Sequence, residues 1–138
     1  MIRWRWVALD VLYAVHDRQM AEHGGLLGVR DRNVLESAMA RPQHLAAYKE
    51  PDAPALAAAY AYGLARNHGF ADGNKRTAWV IARVFLADHG HTLTFDAEDA
   101  VHLMESVAAG RLTERQLAGW FRECLQKSSA SRRGKLSH

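Results

Sequence analysis

Cysteine is almost missing from this 138-residue chain. Cys124 stands alone, so no intrachain disulfide can form and a disulfide-stapled extracellular fold is excluded. A single thiol among apolar and helical neighbours reads as buried packing in a reducing compartment. Long apolar runs are missing too: none reaches the length needed to span a bilayer, so no membrane association is expected. Basic residues in Met1 to Trp6 are not followed by the apolar core and small-residue cleavage site of a signal peptide, which points to the cytoplasm. Charge of one sign is scarce as well. The net charge is only +3, and Arg132, Arg133 and Lys135 near the end of the chain supply much of it. Direct binding to nucleic acid is therefore not expected. There is no internal repeat, and no low-complexity tract before the polar stretch that begins at Ser128.

What is present is an ordinary globular composition, with 49% hydrophobic and 24% charged residues, in a length that buries one core rather than two. We expect a single domain over 1–127 and a flexible basic tail over 128–138. Apolar residues fall at helical spacing in about six stretches, which predicts an all-α bundle. The first runs from Asp10 to His23, with Val11, Leu12, Val15 and Met20 on one side and Gly24-Gly25 as its stop. A second starts behind Asp31 as N-cap and is expected to end before Pro42, because the residue preceding proline avoids the helical region. The third starts near Pro54, the fourth covers roughly Gly73 to His89, and the fifth begins behind Asp96. Thr113 and Gln116 have capping-box spacing at the head of the sixth. Alternation in Ile2, Trp4 and Trp6, and the run from His91 to Phe95, predict short accessory extended segments.

The segment His68-Gly69-Phe70-Ala71-Asp72-Gly73-Asn74-Lys75-Arg76 departs from this ordinary pattern. Asn74, Lys75 and Arg76 fall in the first turn of the fourth helix, where unpaired amides and the helix dipole present positive charge. Cations there should each cost about 0.3 to 1 kcal/mol. A bound anion reverses that sign, and Gly73 lets backbone approach it closely. Free amides, a lysine point charge and an arginine fork form a phosphate cradle. His68 is of the type that accepts a proton near neutral pH, as activation of a hydroxyl nucleophile requires. Asp72 offers a hard oxygen ligand of the kind magnesium takes beside phosphates. Phe70 is the apolar anchor that would pin the loop to the core. Singly, each residue has a blander reading: a loop histidine, an N-cap aspartate, a solvated basic pair. Their order and density favour a reactive site. His89 and His91 flank Gly90 with no third ligand nearby, so a metal site there is not expected. Trp79 and Trp120 read as packing rather than as base-stacking platforms.

This segment resembles the signature of the Fic/Doc family, H-x-F-x-[DE]-G-N-x-R, and the form H-x-F-x-[DN]-[AG]-N-K-R of its death-on-curing branch. The likeness continues in His16-Asp17, in Gly24 to Gly28, in Leu35 to Ala38 with Arg41-Pro42, and in Thr77-Ala78. Family members that transfer AMP have glycine between the asparagine and the arginine, and a second arginine three residues further on. Lys75 and Trp79 occupy those positions here. The resemblance therefore implies a death-on-curing toxin that transfers the terminal phosphate of ATP, in an inverted orientation, to a threonine of elongation factor Tu. It implies His68 as base, Asp72 as the residue linked to Mg2+ and phosphate, and Gly73, Asn74, Lys75 and Arg76 as nucleotide-binding residues, with Phe70 fixing the loop. It also implies a partner antitoxin and a part for Gly24 to Arg30 in docking the target. AMP transfer, or a non-catalytic role as an antitoxin- or nucleotide-binding co-repressor, stands as the alternative.

Overall fold

A computed structural model describes the backbone of residues 3–136 and the side chains up to Leu125. Six helices follow in order: α1 (Leu9–His23), α2 (Arg32–Tyr48), α3 (Ala53–Arg66), α4 (Asn74–Asp88), α5 (Ala97–Ala108) and α6 (Glu114–Leu136). The expected tail over 128–138 lies outside the described side chains.

Helix α3 sits at the centre because its sequence leaves it nothing to show to water. Between Ala53 and Ala65 it carries no charged residue, and Leu56 through Ala61 are all inaccessible. A helix apolar on every side is a buried helix. Helices α2, α4, α5 and α6 all pack against it, and α1 packs on α4. Small residues set the close approaches: a Cβ at Gly63 would lie 3.1 Å from the Cβ of Ala38 in α2. Tyr60 is fully buried, and its hydroxyl accepts the Val7 amide at 3.0 Å.

Capping explains most of the helix starts. The carboxylates of Asp31, Asp52 and Asp96 accept amides of the first turns of α2, α3 and α5. Thr113 and Gln116 form the reciprocal capping box of α6, at 3.1 and 2.9 Å. Gly24 closes α1 with a φ of 74°, and its N–H donates a hydrogen bond to the Met20 carbonyl.

Three features differ from the sequence-based reading. Helix α2 does not end before Pro42 but runs through it to Tyr48. A proline inside a helix costs about 3 kcal/mol. Here Pro42 is buried beside Ala38 and Met39, and the continuation lays Leu45 and Ala46 on the core while Arg41 pairs bidentately with Glu114. Burial of that extra turn offsets the lost hydrogen bond. Secondly, the accessory extended segments pair with nothing as strands among the described residues. The one β-bridge joins Val29 to Phe70. Trp4 and Trp6 instead lay their rings near Phe85, at centroid distances of 5.9 and 6.2 Å, while Arg3 and Arg5 point outward. Ile2 lies outside the described residues. Thirdly, the buried side of α1 is Leu12, His16 and Met20, whereas Val11 is exposed.

Candidate active site

The loop from Asn67 to Gly73 carries the motif from α3 to α4, and four sets of contacts fix its shape. Phe70 is 1% exposed and anchors it in the core. The Asn74 side chain clamps it to α4: Oδ1 accepts the Phe70 amide and Nδ2 donates to the Phe70 carbonyl, each at 3.0 Å. The loop before α2 pairs with it from outside, as Arg30 and Asp31 donate to the Gly69 carbonyl and Ala71 donates to that of Gly28. Finally, His16 of α1 lies flat against Phe70, with ring centroids 3.7 Å apart and planes within 4°, and its Nε2 is 2.9 Å from the Asp72 carbonyl. A carbonyl only accepts, so the His16 proton sits on Nε2. His68 has a φ of 50°. That left-handed conformation is unfavourable for a side chain with a Cβ and persists where the surroundings hold it.

Asp72 projects from this loop with its carboxylate in water. Oδ1 accepts the Gly73 amide at 2.8 Å and Oδ2 the Leu26 amide at 3.2 Å. Those two amides, with Arg76 and His16 nearby, hold its carboxyl below the usual carboxylate range, so it is ionised at neutral pH. Gly25 beside it has a φ of 131°, which residues with a Cβ rarely adopt, and a Cβ there would come within 2.8 Å of Asp72 Oδ2. Gly73 caps α4 with φ 75° and ψ 17°. Its Cβ would fall 2.2 Å from the end of Met20, and it has no side chain with which to fill the helix mouth. The amides of Asn74, Lys75 and Arg76 consequently have no acceptor among the described residues, and neither Lys75 nor Arg76 has an ion-pair partner there.

A cavity of ≈ 780 Å³ opens over this helix start, within the range of small-molecule sites. His68, Asp72, Gly73, Asn74, Lys75 and Arg76 all line it. Phe70 does not, in keeping with its place in the core. Trp79, Arg83 and Phe95 line the far part, and Ala100, Val101, Met104 and Glu105 of α5 form the opposite wall. His89 is otherwise engaged: Nε2 accepts the Arg5 amide at 2.9 Å and Nδ1 lies 2.7 Å from the Phe85 carbonyl. Among the described residues no group of three or more His, Cys, Asp or Glu is placed to hold a metal ion alone. One ionised carboxylate beside a cationic helix start is compatible with magnesium, which takes few protein ligands when phosphates supply the rest.

Residues 6–86, more than half of the chain, match the model of the Fic/DOC family. The chain belongs to the Fic/Doc family. Over 119 residues it is 34% identical to the protein kinase Doc of Escherichia phage P1, covering 86% of this chain and 94% of that protein. It is also 48% identical over 90 residues to the toxin Doc of Mycolicibacterium smegmatis, which covers 62% of this chain and 68% of the relative. Among the described residues, no helix is long and apolar enough to cross a membrane.

Two roles in this Fic/Doc site escaped the reading from sequence. His16 sits at a core position of α1, where a polar residue in an apolar stripe with Leu12 and Met20 was the available signal. Asn74 spends both ends of its amide on Phe70, which makes it a clamp on the loop. Of its donors, one Nδ2 proton is left free for a ligand.

Proposed function

We propose that this chain is the toxin of a toxin–antitoxin pair and acts as a cytoplasmic phosphotransferase, moving the terminal phosphate of ATP to a hydroxyl side chain of a translation factor. The observation that carries this reading is one cavity in which a histidine, an ionised aspartate and a cationic helix start with unpaired amides converge. The relative named a protein kinase, aligned along nearly its whole length, supports phosphoryl transfer as the reaction. Elongation factor Tu is the proposed acceptor, and an antitoxin the proposed partner.

In this reading the terminal phosphate lies over the free amides of Asn74, Lys75 and Arg76, which counter its charge together with the two cationic side chains. His68, with no hydrogen-bond partner among the described residues, takes the proton of the acceptor hydroxyl. The hydroxyl oxygen then bonds to the terminal phosphorus as its bond to the bridging oxygen breaks, releasing ADP. Asp72 holds Mg2+, which when bound neutralises phosphate charge. Lys75 and Trp79 favour phosphoryl over AMP transfer, because the first adds a charged side chain at the phosphates and the second cannot clamp one.

Incubation with γ-labelled and, separately, α-labelled ATP in a bacterial lysate tests this, with His68→Ala as control. Label retained from the γ position alone, on one prominent protein and lost in the variant, is the expected result. Label from the α position would move the chain to AMP transfer. Label from neither would leave a binding role.

A further inference from the structure

The far end of the cavity adds two aromatic rings, Trp79 and Phe95, that phosphate binding does not need. Lys75, Trp79 and Arg83 succeed one another at four-residue spacing and so share one face of α4. At the helical rise, Arg83 lies about 10 Å beyond Arg76 along the axis. Its guanidinium is 5.7 Å from the centroid of the Trp79 ring and 5.2 Å from that of Phe95. The two rings meet edge to face, at 5.1 Å and 82°. Arg83 has no carboxylate partner among the described residues, so the aromatic faces are what hold it. Across from this group, α5 presents Val101, which is 57% exposed, beside Ala97 and Ala100.

We propose that Trp79, Arg83 and Phe95 form the nucleobase end of the site, where a purine stacks against the guanidinium plane that the two rings hold, with Val101 as its apolar neighbour. This rests on the nucleotide-transfer reading above. A terminal phosphate in the first turn of α4 leaves the nucleoside to extend along the same cavity, and the Trp79–Arg83–Phe95 group lies in its path. Flat guanidinium and aromatic faces stack on any base, whereas phosphate asks for donors without a stacking plane.

Calorimetric titration with ATP and with inorganic tripolyphosphate, each with magnesium, separates the two ends of the site. Arg83→Lys keeps the charge and removes the plane, and Arg83 is exposed, so the core is untouched. We expect this variant to bind ATP about five- to tenfold more weakly and tripolyphosphate within about twofold of the parent. In the parent, ATP but not tripolyphosphate should shift the Trp79 indole N–H resonance, identified by its loss in Trp79→Phe. Equal weakening for both ligands would make Arg83 a phosphate clamp and overturn the stacking site. No weakening, or an indole that ignores ATP, would place the base elsewhere. A parent that binds neither ligand would instead remove the nucleotide-transfer reading beneath it.

Discussion

Removing the Asn74 amide is the sharpest perturbation of this site, because family resemblance and geometry assign that residue different tasks. As a phosphate ligand it would matter only when nucleotide is bound. As a clamp it ties Phe70 to α4 through two hydrogen bonds of 3.0 Å in the free protein. Each partly buried bond contributes about 1 kcal/mol net, so Asn74→Ala should cost about 2 kcal/mol before any ligand is added. For a chain of this size that lowers the melting temperature by about 4 to 8 °C. Asn74→Asp keeps the acceptor for the Phe70 amide but turns a carboxylate toward the Phe70 carbonyl. It should therefore be at least as destabilising as alanine. Thermal denaturation of both variants without nucleotide measures this, and ATP titration then shows whether binding falls further. A melting temperature within about 1 °C of the parent, together with weakened ATP binding, would refute the clamp and leave the ligand role as the task of Asn74.

Two further perturbations test the frame around the site. His16→Phe keeps a ring on Phe70 but leaves the Asp72 carbonyl without its donor; we expect a stability loss of about 1 kcal/mol and a transfer rate at least about tenfold lower. Unchanged turnover with the same stability loss would make His16 a packing residue alone. At the far side, Asp52→Asn keeps a capping oxygen for α3 but discharges the ion pair with Arg122 of α6, an expected loss of about 0.2 to 1 kcal/mol at neutral pH. Arg122, and then the Ala55 amide, hold the Asp52 carboxyl below its ordinary value. Its contribution is thus complete above the unfolded value of about 3.9 and is lost as pH falls through the lower folded one. Melting curves of parent and variant should converge as the pH falls through that lower folded value, and a gap that stayed constant down to the acid limit of folding would count against the pair.

What could be read from the chain alone divides along physical lines. Helix starts were legible because an N-cap is a local event: Asp31, Asp96 and Thr113 act within three residues of themselves. The end of α2 was not, since the proline rule is also local while the gain from burying Pro42 and Leu45 depends on where α3 lies. The candidate loop was legible as a set because it leads into a helix terminus, and seven of its residues from His68 to Arg76 line one cavity. Roles inside the set were harder. Asn74 and His16 act on backbone atoms of Phe70 and Asp72, and no spacing rule says which atom a side chain will find. Trp79 shows the same limit from the other direction. Its apolar face and its contacts with Phe95, Trp120 and Phe121 make it the packing residue that helical periodicity predicts. It also lines the cavity beside Arg83, because α5 and the segment before it close over α4 there. A tryptophan is wide enough to pack with one edge and offer the other to a ligand, so a core reading and a site reading of the same residue do not compete.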